Sequence, residues 1–264
     1  MLDGGNWDAA AASASSRPAG AKAWFVLVTG LNGIRKTTSV NKPWIKELLK
    51  QSLGSQYEGE AEELLPAGSN AFFRQLDFMI ATLALHEFKR LYEIDDVALY
   101  ARYKEAIFAR YRTVAEMLGV LLVRAAQRGG LNVMVETSGR DVGMYQYVDF
   151  LQPDNSGSAG GHAATGYRKL VLNFAINELS FAERSVDTRM LSEMKLGKAA
   201  LAKADTEPHG VIKANAGGPY GSQVLAGVQA DSVRVWEQIL AGGAGDVGRG
   251  WYKASIAIEA REDA

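Results

Sequence analysis

A chain of 264 residues, 47% hydrophobic and 22% charged, carries enough apolar area for one large domain or two small ones, which excludes a disordered or fibrous protein. Lysine and arginine total 29 against 30 aspartates and glutamates, so a net charge of -1 supplies no global field to draw in nucleic acid or an acidic membrane. The absence of cysteine excludes a disulfide framework, a thiolate metal site and a cysteine nucleophile, and three histidines at 86, 162 and 209 are too scattered for a zinc motif.

Residues 1–22 start with Asp3 and Asp8 rather than a basic signal region, and 9–21, AAASASSRPAGAK, is small, polar and broken by Pro and Gly. The segment 1–22 is therefore expected to be a flexible lead-in, and 23–264 to be the folded domain. The apolar runs at 23–28 and 117–123 fall short of the roughly 18 residues a membrane helix needs. A cytoplasmic protein with no membrane or nucleic-acid partner is expected.

WFVLVT at 24–29 is a short β-branched and aromatic run ending at a glycine, the signature of a buried strand. After Gly30-Leu31-Asn32-Gly33, Val40, Trp44, Leu48 and Leu49 recur at helical spacing and predict a helix over 34–53, which Pro43 cuts or kinks. AFFRQLD at 71–77 reads as a second strand ending at an acid. Residues 78–128 predict two or more helices broken near 93–96, with Tyr100, Tyr103, Ile107, Tyr111, Val114 and Leu118 on one apolar face. A strand at 131–135 follows, with Glu136 at its carboxyl end. The stretch 152–166 is a Gly/Ser/Asn/Asp-rich loop before a strand at 169–176 and a helix at about 179–196. A last helix at about 222–240 leads through the glycine-rich turn 242–250 into a strand at 252–258. Strands alternating with helices predict an α/β domain of three layers with a mostly parallel sheet of about five strands, a helical insertion between 77 and 129, and a mobile lid over 184–218.

Three segments carry chemistry. Gly30-Leu31-Asn32-Gly33-Ile34-Arg35-Lys36-Thr37 matches the phosphate-binding loop G-x4-G-K-[ST], except that Arg35 replaces the second glycine. Such a loop surrounds phosphate oxygens with backbone N–H groups, its lysine bridges the terminal phosphates and its hydroxyl binds Mg2+. Gly30, Asn32, Gly33, Arg35, Lys36, Thr37 and Thr38 are thus candidate nucleotide-binding residues, with Thr37 also the metal ligand. The plain alternative is a strand–turn–helix with a solvated basic pair.

Glu136-Thr137-Ser138-Gly139-Arg140-Asp141 sits where an open α/β sheet places ligands. There a carboxylate orders a Mg2+ water or a substrate hydroxyl, and Ser138 and Arg140 add a short donor and a guanidinium fork. In the structural alternative Glu136 caps the next helix and Arg140 pairs with Asp141. Arg184 and Arg189, on the helix after the 169–176 strand, are able to face a common cleft and neutralise a transferring phosphoryl group; a solvated helix with surface ion pairs fits the spacing as well. Asn215-Ala216-Gly217-Gly218-Pro219-Tyr220-Gly221 reads either as a ligand loop or as the turn opening the last helix.

Taken in order, the phosphate loop, NVMVETSGRD at 132–141 and GYRKLVLNFAINELSFAERS at 166–185 resemble the zeta-toxin-type P-loop kinases, over most of 24–259. The resemblance implies an ATP- or GTP-dependent, Mg2+-assisted phosphotransferase acting on a hydroxyl of a small molecule. It implies Lys36 and Thr37 on nucleotide phosphates and Mg2+, Asp77 as the base, Glu136 and Ser138 in the substrate pocket, and Arg184 as a charge-stabilising arginine. The chain departs from the family pattern in three places. Arg35 stands where the family keeps glycine. An ungapped alignment puts Val120 at the family's acidic substrate ligand, with Glu116 a turn earlier. Lys213 is the cation nearest to where a second lid arginine belongs. These departures motivate the other reading, a nucleotide- or ligand-binding protein of the same fold with impaired catalysis. Between Asp77 and Glu136 as base, the resemblance favours the first and the secure strand-end position the second.

Overall fold

The computed structural model describes residues 1–57, 60–151, 166–219, 221–242 and 247–259. In chain order its elements are α1 (Trp7–Ser15), β1 (Trp24–Thr29), α2 (Lys36–Ser39), α3 (Trp44–Leu53), β2 (Ala71–Arg74), α4 (Leu76–Leu83), α5 (Leu85–Leu91), α6 (Val97–Arg128), β3 (Asn132–Glu136), α7 (Gly143–Leu151), β4 (Arg168–Ile176), α8 (Leu179–Leu201), α9 (Pro208–Ala214), α10 (Leu225–Leu240) and β5 (Tyr252–Ile258). The loop read at 152–166 lies almost wholly outside the described residues.

All five strands are parallel, in the order β2-β3-β1-β4-β5, with β1 central. Its six residues are buried without exception, as a strand covered on both faces must be. Alternate side chains serve opposite layers. Trp24, Val26 and Val28 pack with Val40, Ile45 and Leu49, while Phe25 and Leu27 pack with Val123, Ala126, Tyr145, Val148 and Val235. The chain leaves β1 toward the β2 edge and leaves β4 toward the β5 edge, so a crevice opens at their carboxyl ends, the usual ligand position in such sheets. The arrangement is a P-loop NTPase-like α/β fold. A third cluster, with Ile80, Phe88, Tyr92, Tyr100, Ile107, Val211 and Ile212, joins α4, α5, α6 and α9 beside the sheet.

Several expectations need correction. The segment 1–22 is not a loose lead-in: Trp7–Ser15 is helical, Ala10 is fully buried, and the Trp7 ring meets Phe72 edge-on at 5.1 Å. Alanine-rich sequence has the highest helix propensity, and its small side chains allow the close approach to the sheet that a polarity-based reading overlooks. Phe72 and Phe73 do form a strand, but β2 stops at Arg74, and Asp77 lies in the first turn of α4. The helix expected over 34–53 is two helices. Pro43 cannot donate an N–H and disfavours helical backbone before it, and the Val40 carbonyl instead accepts the Gly68 N–H at 2.8 Å. On α6 the buried line runs Tyr100, Lys104, Ile107, Phe108, Ala115 and Gly119, leaving Val114 49% exposed. The region expected to be a lid, 184–218, is packed as α8 and α9 against the helical cluster. Among the described residues no helix is long and apolar enough to cross a membrane.

Candidate active site

The loop between β1 and α2 delivers Lys36 and Thr37 to the carboxyl edge of the sheet. Arg35 sits in the left-handed region at φ 60°, ψ 29°, the conformation that explains why phosphate loops favour glycine at this position. Its side chain is exposed, as is that of Thr38, and Asn32 is partly so. Gly33, at φ 86°, lies so close to α8 that a Cβ there would stand 2.7 Å from the Ala182 carbonyl oxygen. The loop is thus pressed against the helix that carries Arg184 and Arg189.

Lys36 is 3% exposed. Its Nζ donates to the Leu31 carbonyl at 2.6 Å and lies 3.3 Å from Glu136 Oε1, while the Thr37 hydroxyl donates to Glu136 Oε2 at 2.6 Å. Parallel pairing of β1 with β3 sets this contact, because the register places Glu136 beside Val28, two residues before Gly30. Burial lowers the Lys36 ammonium from its usual range, and the Glu136 carboxylate opposes that shift. Asp77 enters the same cleft from the start of α4. Burial and the neighbouring Glu136 charge push its carboxyl up to about 6, against the pull of Lys104, Arg189 and Lys36. A carboxyl poised near neutrality within the field of a buried lysine suits general-base work.

Arg189 belongs to this cleft and Arg184 does not. Arg189 lies within the electrostatic reach of Lys36 and Asp77, whereas Arg184 is exposed and makes no hydrogen bond or ion pair among the described residues. Five residues along a helix turn a side chain about 140° away, so the pair has no common face. Ser138 is half-buried in the turn after β3, held near the end of β1 because Gly139, at φ 74°, presses against Thr29. Arg140 is exposed and has a partner of its own. Glu116 is engaged by the buried Arg74 at the end of β2, so the structure gives its charge a structural partner. Lys213 lies on α9, whose buried residues are Val211, Ile212 and Ala214. Sequence reasoning missed Lys104 and Glu193, a buried ion pair next to the cleft. The available signal was a lysine interrupting an apolar helix face between Tyr100 and Phe108.

Restoring glycine tests the loop. Arg35→Gly removes a left-handed side-chain penalty but loosens the unfolded chain, so it is expected to leave thermal stability unchanged or raise it by up to about 1 kcal/mol. Calorimetric titration with MgATP is expected to show binding intact or tighter. Loss of binding would make Arg35 itself a phosphate ligand.

No protein-family model matches the chain, and no curated protein matches it. A search of solved structures finds similarity to a chain from a structural study of the PezAT chromosomal toxin–antitoxin system of Streptococcus pneumoniae. The two are 13% identical with a TM-score of 0.36, and the alignment covers 91% of this chain and 98% of that one. So loose a superposition adds no weight to any residue assignment, which stands on the geometry of the cleft.

Proposed function

We propose that this protein is a nucleotide-dependent phosphotransferase of the zeta-toxin-like kind, moving the terminal phosphoryl group of ATP or GTP to a hydroxyl of a small molecule. One observation carries the reading: Lys36, Thr37, Glu136, Asp77 and Arg189 converge on one cleft at the carboxyl edge of a parallel sheet, directly after a glycine loop. Lys36, released from the Leu31 carbonyl, would bridge the terminal phosphates, and the loop N–H groups from Gly30 to Thr37 would cradle them. Because α2 is a single turn, phosphate binding would rest on those N–H groups and on Lys36 more than on a helix dipole.

A hydroxyl and a carboxylate only 2.6 Å apart are hard oxygen donors of the type Mg2+ takes alongside phosphates and water, so Thr37, with Glu136 behind it, fits that ion. Bound there, Mg2+ would supply charge neutralisation at the phosphates. Asp77 would accept the proton of the acceptor hydroxyl, and Arg189 would face the charge that spreads over the transferring group.

The test is a titration with MgATP and MgGTP, followed by a search for labelled product when the protein is incubated with γ-labelled nucleotide and a metabolite pool. Transfer to a hydroxyl compound supports the reading, and unchanged heat on titration with either nucleotide ends it. A second reading, binding without catalysis, draws on the outward position of Arg184. It predicts nucleotide binding with neither hydrolysis nor transfer.

A further inference from the structure

Glu193, on α8, is 1% exposed, yet its carboxylate accepts four hydrogen bonds from three residues on two other parts of the chain. Lys104 Nζ reaches both oxygens at 2.8 and 2.7 Å, the Tyr100 hydroxyl donates at 2.6 Å, and the Ala216 N–H donates at 2.9 Å. The same turn is held on its other side, where Asn215 Nδ2 donates to the Asp77 carbonyl at 3.0 Å. The next residue, Gly217, at φ 143°, offers a bare Cα to the Arg189 guanidinium; a Cβ there would stand 2.7 Å from Nη1. One carboxylate therefore joins α6, α8 and the 215–217 turn, and that turn forms the surface on which Arg189 lies. Replacing a buried ion pair with well-packed apolar side chains is often neutral or stabilising, so what this pair supplies is placement.

We propose that Glu193 is a positioning residue: by clamping the 215–217 turn onto α6 and α8, it holds the Arg189 guanidinium toward the cleft of Lys36, Asp77 and Glu136. The catalytic consequence rests on the phosphotransferase reading, whereas the clamp does not.

The clamp is read without activity, from the side-chain Nε–H signal of Arg189 in a nitrogen–proton NMR spectrum, assigned by its loss in Arg189→Lys. In the unaltered protein this signal is expected to stand apart from those of freely exposed arginines. Glu193→Ala is expected to move it among them and to speed amide exchange at Ala216 at least about tenfold, one lost hydrogen bond of ordinary strength. Glu193→Gln combined with Lys104→Met removes both charges, keeps a carbonyl acceptor for the Ala216 N–H and turns an amide N–H toward the Tyr100 hydroxyl, which can accept it, so the variant should retain the signal. Gly217→Ala keeps Glu193 and its donors but sets a Cβ against the guanidinium in a backbone conformation that strains an alanine, and should displace the signal, which gives a second readout if Glu193→Ala fails to fold. An Arg189 signal that already lies with the exposed arginines, or that stays put in Glu193→Ala or in Gly217→Ala, overturns the proposal. If the unaltered protein transfers phosphate, Glu193→Ala should lower kcat by the same factor as Arg189→Ala, with the double variant no worse. If it transfers none while the NMR results hold, the phosphotransferase reading fails and the clamp stands.

Discussion

Lys36→Ala is expected to weaken MgATP binding by about 10–100-fold, the worth of a charged hydrogen bond to phosphate, and to reduce transfer by a further factor of about 100–1000. The side chain is buried, close to a carboxylate and next to the glycine loop, so no exposed lysine elsewhere substitutes for it. Removing it also leaves Glu136 without its cation. Lys36→Arg is not expected to rescue, because the larger planar guanidinium does not fit where a buried ammonium stands. Calorimetry separates the binding loss from the transfer loss, and unchanged nucleotide affinity would remove the phosphate-loop assignment.

The second large effect belongs to Asp77. Asp77→Asn keeps the shape but cannot accept a proton, so nucleotide affinity should persist while transfer falls by about 100–10,000-fold. If the unaltered protein transfers phosphate with Asp77 as base, kcat/KM should decline below an apparent pKa near 6, because the base must be ionised. The stability consequence has the opposite sign. A carboxyl whose folded pKa lies above its unfolded value is a burden when ionised, so the native state carries a penalty above pH 6 that fades as pH falls toward 4. Asp77→Asn should then be more stable than the unaltered protein at pH 8, by on the order of 1–3 kcal/mol, with the difference gone near pH 4. Thermal unfolding at the two pH values checks this. If full transfer survives in Asp77→Asn, Glu136 is left as the base.

The central strands and the glycine loop were legible because their signals are local: 24–28 is an unbroken apolar run shortly before Gly30, and Val133, Met134 and Val135 form a short β-branched and apolar run after Gly129-Gly130. The convergence of Glu136 with Lys36 was legible through strand position, which the parallel register then turned into a direct contact. What escaped depends on packing between distant segments. Spacing placed Arg184 and Arg189 on one helix but did not tell which faced inward, since both sides of α8 carry charge. The inward line of α6 drifts over 32 residues, and a lysine is buried on it only because Glu193, 89 residues later, arrives to neutralise it. The first helix hid behind its own alanines, whose value lies in how closely they let a backbone approach.

That first helix changes how the chain tolerates cutting. Asn6 Nδ2 holds the Gly68 carbonyl at 2.8 Å, and Arg17 reaches across to the Gly130 carbonyl and to Asn132, whose side-chain oxygen also accepts the Trp24 N–H. A protease nick near residue 17 would thus pull a wedge out from between the sheet and its flank, uncovering Phe72 and unpinning the starts of two central strands at once. The cleft of Lys36, Asp77 and Glu136 lies at the opposite end of those strands, so the damage would register first as a drop in melting temperature rather than as a change in what the cleft binds.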